Sequence, residues 1–202
     1  MSYKPKNKSC RTAENKNKIR SLENIVKHYK RYIDQCSENT LPQELEYFGS
    51  LSFNKMGLKK IANAKLANGK KHTHQKCLDK KVFPQVSDRL LNRQREISNV
   101  QTFSELFKKV SSIIKDINGV GPLMIYDTTL RLGAILGLKP QKVYIHRGSK
   151  EGAKNLGLNI KKGYLEKDEL PNEFQDLEPY EIEDCLCIYK DSEAFKRMSS
   201  AT

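Results

Sequence analysis

The chain has 202 residues, 37% of them apolar, no Trp and a formal net charge of +13. That length suits one domain with a lean core, and no stretch approaches the eighteen or so apolar residues of a membrane span. The charge is confined to one half: residues 1–100 carry 22 basic and 9 acidic side chains, whereas residues 101–202 carry 15 of each. A basic surface of that kind favours phosphate polyanions through counterion release, with a solvated lysine-rich surface as the alternative. Cys10, Cys36, Cys77, Cys185 and Cys187 are odd in number and fit no zinc-ribbon or redox spacing. They read as free thiols in a reducing compartment, hence a cytoplasmic, nucleoid or nuclear protein. No apolar run follows the basic start, so no signal peptide is expected.

Residues 1–18 hold lysines, Asn and Ser and almost nothing apolar. They predict a disordered basic arm. Ile19, Leu22, Ile25, Val26, Tyr29, Tyr32 and Ile33 share one helical face and predict an amphipathic helix over 17–36. Thr40-Leu41-Pro42-Gln43 is a helix start, with Thr40 as the cap and Gln43 reaching back. A third helix is expected from Ser52 to Asn68, stopped by Gly69. The segment from Lys55 to Lys81 then holds nine lysines and one acid, Asp79. At its centre stand Lys70, Lys71, His72 and His74, a loop suited to phosphate contacts by lysine point charges. A metal on the two histidines is disfavoured, because no carboxylate or cysteine cluster accompanies them and the neighbouring lysines repel a cation. Pro84 is expected to open a fourth helix, whose Arg89 and Arg93 are four apart and share a face. They would hold a phosphate or pair with acids elsewhere. Thr102-Phe103-Ser104-Glu105 is a capping box that starts the next helix.

From Phe103 to Leu136, two helical runs flank Ile117-Asn118-Gly119-Val120-Gly121-Pro122. The glycines permit positive φ and close backbone approach, and Pro122 suits the first position of a helix. Unpaired N–H groups at that helix start form an anion site. After Gly137-Leu138-Lys139-Pro140, residues 141–146 predict a half-buried extended segment. His146 and Arg147 then precede Gly148-Ser149 and a short helix that carries Lys150 and Lys154. His146 is read either as part of a phosphate pocket or as a core histidine. Residues 161–197 hold 6 basic and 11 acidic residues, a possible docking region for a protein partner. Pro179 starts a last helix with Ile182, Cys185, Leu186 and Tyr189 on one face.

The string Ile114-x-x-Ile117-x-Gly119-Val120-Gly121 resembles the helix-hairpin-helix motif. In that family the hairpin amides hold a DNA phosphate, which reads backbone rather than bases. The family often has a small residue four places after the second glycine; here it is Ile125. The wider layout distantly resembles the helix-hairpin-helix base-excision DNA glycosylases. These often place a lysine two residues after the second glycine and an essential aspartate beyond the second helix. This chain has Leu123 and, near the second position, His146, with no Asp between Asp127 and Asp168. Asp127 and His146 are therefore the weak catalytic candidates, and a hairpin-lysine lyase is not expected.

The expected fold is all-α: seven to nine helices in one domain over 19–202, a helix-hairpin-helix at 103–136 and a basic arm at 1–18. The expected function is largely sequence-independent binding of duplex DNA. Asn118, Gly119, Val120 and Gly121 would meet the phosphate, and Lys70, Lys71, His72, His74, Arg89, Arg93, Arg147 and Lys150 would add affinity. The alternatives are a glycosylase-like base-modifying enzyme and a protein-interaction adaptor. No Walker loop, Gly-x-Ser-x-Gly or metal-ligand cluster occurs, so no cofactor or metal is expected.

Overall fold

The structure, a computed structural model, describes residues 16–35, 40–71, 75 and 78–199. The expected basic arm falls mostly on residues 1–15, and His72 and His74 also lie outside the described residues. The described chain is mostly helical, with ten α-helices and one two-stranded ribbon.

The chain folds back so that its first helix joins its last. α1 (Leu22–Gln35) buries Leu22, Ile25, Val26 and Tyr29, the stripe the helical spacing predicts. That stripe packs into one core with α8 (Arg147–Asn155), α9 (Pro179–Ile188) and α10 (Glu193–Ser199). The Ala194 N–H donates to the Ile19 carbonyl at 2.8 Å and ties the two ends together. The expected extended segment is β1 (Val143–Tyr144), paired antiparallel with β2 (Tyr164–Leu165) beneath the same core.

The residues between form a second core. α2 (Leu41–Gly49) starts as expected, with the Thr40 N–H donating to Gln43 Oε1 at 3.3 Å. α3 (Lys55–Ala62) ends six residues before Asn68. The Lys59 carbonyl accepts both the Asn63 backbone N–H at 3.1 Å and its side-chain amide at 2.7 Å, and Ala64 then turns to φ +49°. Lys65 to Lys71 then form a tight reversal closed by an antiparallel bridge between those two residues. α4 (Val82–Asn92) begins two residues before Pro84 and breaks at Arg93, and a short α5 (Gln94–Ser98) follows. Two helices therefore stand where the spacing predicts one. α6 (Phe103–Ile114) is capped by Thr102, whose Oγ1 accepts the Glu105 N–H at 3.2 Å. α7 (Pro122–Leu136) starts on Pro122 and stops at Gly137 in the left-handed region, φ +70°. A third, smaller cluster of Phe103, Tyr126 and Leu130 joins the two cores.

Candidate nucleic-acid interface and an adjoining cleft

The turn between α6 and α7 is anchored by Ile117, which is buried in the second core. The Val120 N–H donates to the Ile117 carbonyl at 3.0 Å and closes the turn. Gly119 sits at φ +92°, and a Cβ there would lie 3.0 Å from Val82 Cγ2. Glycine is therefore required twice, for conformation and for approach. Gly121 caps α7 at φ −105° and ψ 175°, an ordinary extended geometry, and contributes no side-chain cap. The first-turn amides of α7, which have no intrahelical acceptor, therefore have no side-chain cap among the described residues. Asn118 and Gly119 are exposed, and Val120 and Gly121 are half-buried.

The Val82 contact brings the second basic segment to the hairpin. Exposed Lys80 and Lys81 precede α4, where Asp79 accepts the Lys81 N–H on Oδ1 at 2.9 Å and the Val82 N–H on its carbonyl at 3.0 Å. Cations at a helix N-terminus oppose the helix dipole. Lys71 lies over the Phe83 ring, its Nζ 3.3 Å from the centroid. Desolvation, and then the charges of Lys80 and Lys65, pull the Lys71 ammonium below its ordinary pKa. Lys65 and Lys80 are thus close enough to repel Lys71, beside the start of α4. Lys70 is exposed at the tip of the same reversal.

The two arginines pair with acids. Arg89 donates to the Ile113 carbonyl at 2.9 Å and pairs with Asp116, so it braces the approach to the hairpin from α4. Arg93 pairs with Glu96, which also takes Lys109 at 3.0 Å. Arg147 and Lys150 are exposed on α8, in the other lobe.

Asp127 and His146 come together in a cleft between the two cores. The cavity is about 230 Å³ and is lined by Leu123, Asp127, Leu130 and Arg131 of α7, Leu41, Glu44 and Leu45 of α2, His146, Tyr32, and Glu183, Asp184, Cys187 and Ile188 of α9. Leu123 and His146, where the glycosylase resemblance would place a lysine and an aspartate, both line it. Arg131 is only 2% exposed. Its Nε donates to Glu44 Oε1 at 2.7 Å and its Nη1 to Gln75 Oε1 at 3.2 Å. Gln75 in turn donates to Asp127 Oδ2 at 3.2 Å, and Arg131 Nη2 stands 3.9 Å from the same oxygen.

His146 is 8% exposed and caps α8, with its N–H bonded to Ser149 Oγ at 3.1 Å. Its Nε2 pairs with Glu183, and its Nδ1 has no hydrogen-bond partner among the described residues. Burial opposes the imidazolium, but Glu183 and the charges of Asp127 and Asp184 outweigh it and raise the pKa above its ordinary value. Asp184 accepts from the Tyr29 hydroxyl at 3.1 Å, and no cation lies within ion-pair distance of it among the described residues. Burial, then the neighbouring charge of Glu183, pushes its carboxyl up to about 7.

Sequence reasoning singles out Asp127 and His146 but not Arg131, Glu44, Gln75, Glu183 or Asp184. One signal was present: Arg131 is the lone cation in an otherwise apolar α7, four residues after Asp127, so the two share a face. The partners on α2 and α9 are separated from it by dozens of residues and carry no such mark.

Among the described residues, no group of three or more His, Cys, Asp or Glu is placed to hold a metal ion, and no helix is long and apolar enough to cross a membrane. No family model, no curated protein and no solved structure matches the chain.

Proposed function

We propose that the protein binds the sugar-phosphate backbone of duplex DNA, with one phosphate seated where α4 and α7 begin. One observation carries this reading: the hairpin packs on the start of α4 at the Gly119–Val82 contact, and the lysine-rich reversal reaches the same helix start through Lys71 over the Phe83 ring. The start of α7 supplies N–H donors and a favourable dipole, and Lys65, Lys71, Lys80 and Lys81 supply positive charge. The repulsion that Lys65 and Lys80 exert on Lys71 is relieved by a bound anion. Such contacts position a duplex without selecting its sequence.

Fluorescence anisotropy with duplex DNA over a salt series tests the reading. Gly121→Val is the informative variant, because a Cβ at Gly121 meets nothing within 4 Å and the backbone there suits any residue. The added bulk stands at the phosphate, so binding should weaken by about tenfold, the equivalent of one charge-assisted hydrogen bond, while the melting temperature holds. Wild-type affinity in that variant would remove the hairpin from the mechanism.

A second reading, a base-modifying enzyme, is favoured by the cleft. Both weak catalytic candidates line a cavity that reaches Leu123 in the first turn after the hairpin. Incubation with duplexes bearing modified bases, followed by chromatography of released bases, tests it. Duplex binding with no released or altered base would leave the first reading alone standing.

A further inference from the structure

Between α3 and α4 the chain makes a narrow finger. Lys65 and Lys71 form an antiparallel bridge at its base. The Leu66 N–H donates to the Lys70 carbonyl at 3.0 Å, and the Gly69 N–H to the Leu66 carbonyl at 2.9 Å. The Lys70 N–H donates to Asn68 Oδ1 at 3.0 Å, and Gly69 takes φ +74°. Hydrogen bonds this dense in so short a turn fix its shape before a partner arrives, so little ordering entropy is lost on binding. The base is fixed as well: Ala64 is buried, Leu66 packs against the second core, and Lys71 lies over the Phe83 ring. The tip projects. Ala67, Asn68, Gly69 and Lys70 are all exposed, and a Cβ at Gly69 would meet nothing within 4 Å.

The size of the finger selects what it can enter. Half-buried Leu66 stands two residues from the tip, a reach of about 7 Å that the Lys70 side chain extends. Two antiparallel chains lie about 5 Å apart, and Ala67 and Gly69 add little to that width. The major groove of B-DNA, about 12 Å wide and about 8.5 Å deep, admits a two-stranded ribbon, whereas the minor groove, about 6 Å wide, does not. The major groove of an RNA duplex is deep and too narrow for side chains to read. Phe83, beneath Lys71, follows Val82, which the hairpin approaches at Gly119. A phosphate seated at the hairpin therefore brings the duplex past the finger.

We propose that the reversal from Lys65 to Lys71 enters the major groove of B-form DNA beside the seated phosphate, with Lys70 reaching the base edges, and that this entry selects duplex DNA over duplex RNA. The inference rests on the DNA-backbone reading and supplies what a phosphate contact cannot, since both duplexes offer phosphates. It requires no sequence choice. Every base pair presents a purine N7 acceptor in the major groove, so a lysine there finds a partner on any sequence.

Fluorescence anisotropy of the full chain with three duplexes of one sequence tests the proposal. They are plain DNA, DNA whose cytosines are glucosylated 5-hydroxymethylcytosine, in which the sugars fill the major groove, and RNA. Glucosylated DNA and RNA should each bind more weakly than plain DNA by about tenfold or more, the margin of a hydrogen bond to a charged group. Lys70→Gln should weaken binding to plain DNA and leave the other two unchanged. Equal affinity for plain and glucosylated DNA overturns the proposal, as does equal affinity for DNA and RNA. A Lys70→Gln loss shared alike by all three duplexes also overturns it, because the lysine would then act only through its field. Gly121→Val should weaken all three by a common factor. Loss of that effect with the glucose discrimination intact would remove the hairpin and keep the finger, whereas binding to none of the three overturns both.

Discussion

Arg131 is a guanidinium placed where an apolar side chain would ordinarily stand. It is 2% exposed in a helix whose neighbours Leu130 and Leu132 are core residues. Burying a lone charge is prohibitive, so the fold surrounds it with Glu44, Gln75 and Asp127. Such a pair contributes little over an apolar replacement, but breaking it from one side leaves a buried charge uncompensated. Arg131→Met should therefore destabilise by about 3–5 kcal/mol, and adding Glu44→Gln should recover part of the loss. Urea unfolding of the two variants measures both, and an unfolding midpoint for Arg131→Met close to wild type would refute this account of the cleft. The pH response follows from Asp184 and His146. Asp184 has a folded pKa of about 7, above the ordinary carboxyl range, so the native state binds more protons than the unfolded chain between about pH 4 and 7. The stability it contributes is therefore complete in acid and is lost as pH rises toward 7. His146 is also raised, so its contribution too is present at low pH and lost as pH rises through its folded value. The exposed carboxylates beside lysine and arginine partners, such as Glu151 and Asp116, are shifted the opposite way, to lower pKa. The domain should be more stable at pH 6 than at pH 8, and Asp184→Asn should reduce the difference. Denaturation midpoints that coincide at the two pH values would show that the cleft carboxyls are not held as described.

At the level of elements, spacing rules located most of the helices, because an amphipathic stripe is a local property. The α1 stripe, the Thr40 and Thr102 starts, the Pro122 start and the Gly137 stop were all legible in short windows. The ends of α3 and α4 were not. α3 ends where Ala64 turns into the left-handed region at φ +49°, a conformation that nothing in the composition marks for an alanine. Nor does the sequence show which strand pairs with Val143–Tyr144, since β2 is set by tertiary contact. The close approach of α8 and α9 was equally hidden. Gly152 of α8 meets α9 so tightly that a Cβ would stand 2.1 Å from the Leu186 carbonyl oxygen. In the sequence it is one of three glycines in ten residues and looks like a helix weakness. Gly152→Ala should force α8 and α9 apart and cost about 3 kcal/mol, at the upper end for overpacking, despite the better helix propensity of alanine. A thermal melt unchanged by that substitution would mean the two helices do not cross as closely as this. The same comparison explains the hairpin: Ile125, where the family often has a small residue, is absorbed into the core, and the small residue of α7 that meets α6 is Gly133, beside the Phe103 ring.

Across the whole molecule, most of the excess positive charge belongs to the part of the chain that builds the second core. Residues 40–140, which build the second core, carry 17 basic and 8 acidic side chains. The first core, assembled from both ends of the chain, draws its acids from α9 and the segment before it, and Glu183 and Asp184 direct part of that charge into the cleft. An adaptor surface finds less support, since Met56 is the one large apolar side chain exposed among the described residues. On the basic lobe, charge number determines the response to salt. Each phosphate neutralised on B-DNA contributes about −0.9 to the slope of log affinity against log salt. If Lys71, Lys80 and Lys81 each meet a phosphate, replacing all three by Gln should make that slope shallower by about 2.7. Lys154 and Lys161, exposed near α8 in the other lobe, serve as the control pair, and their replacement should leave the slope unchanged. Equal slopes for the triple variant and the wild type would place the duplex elsewhere. A shallower slope in both sets would mean that the field of the whole molecule, rather than the face where α4 and α7 begin, attracts the polyanion.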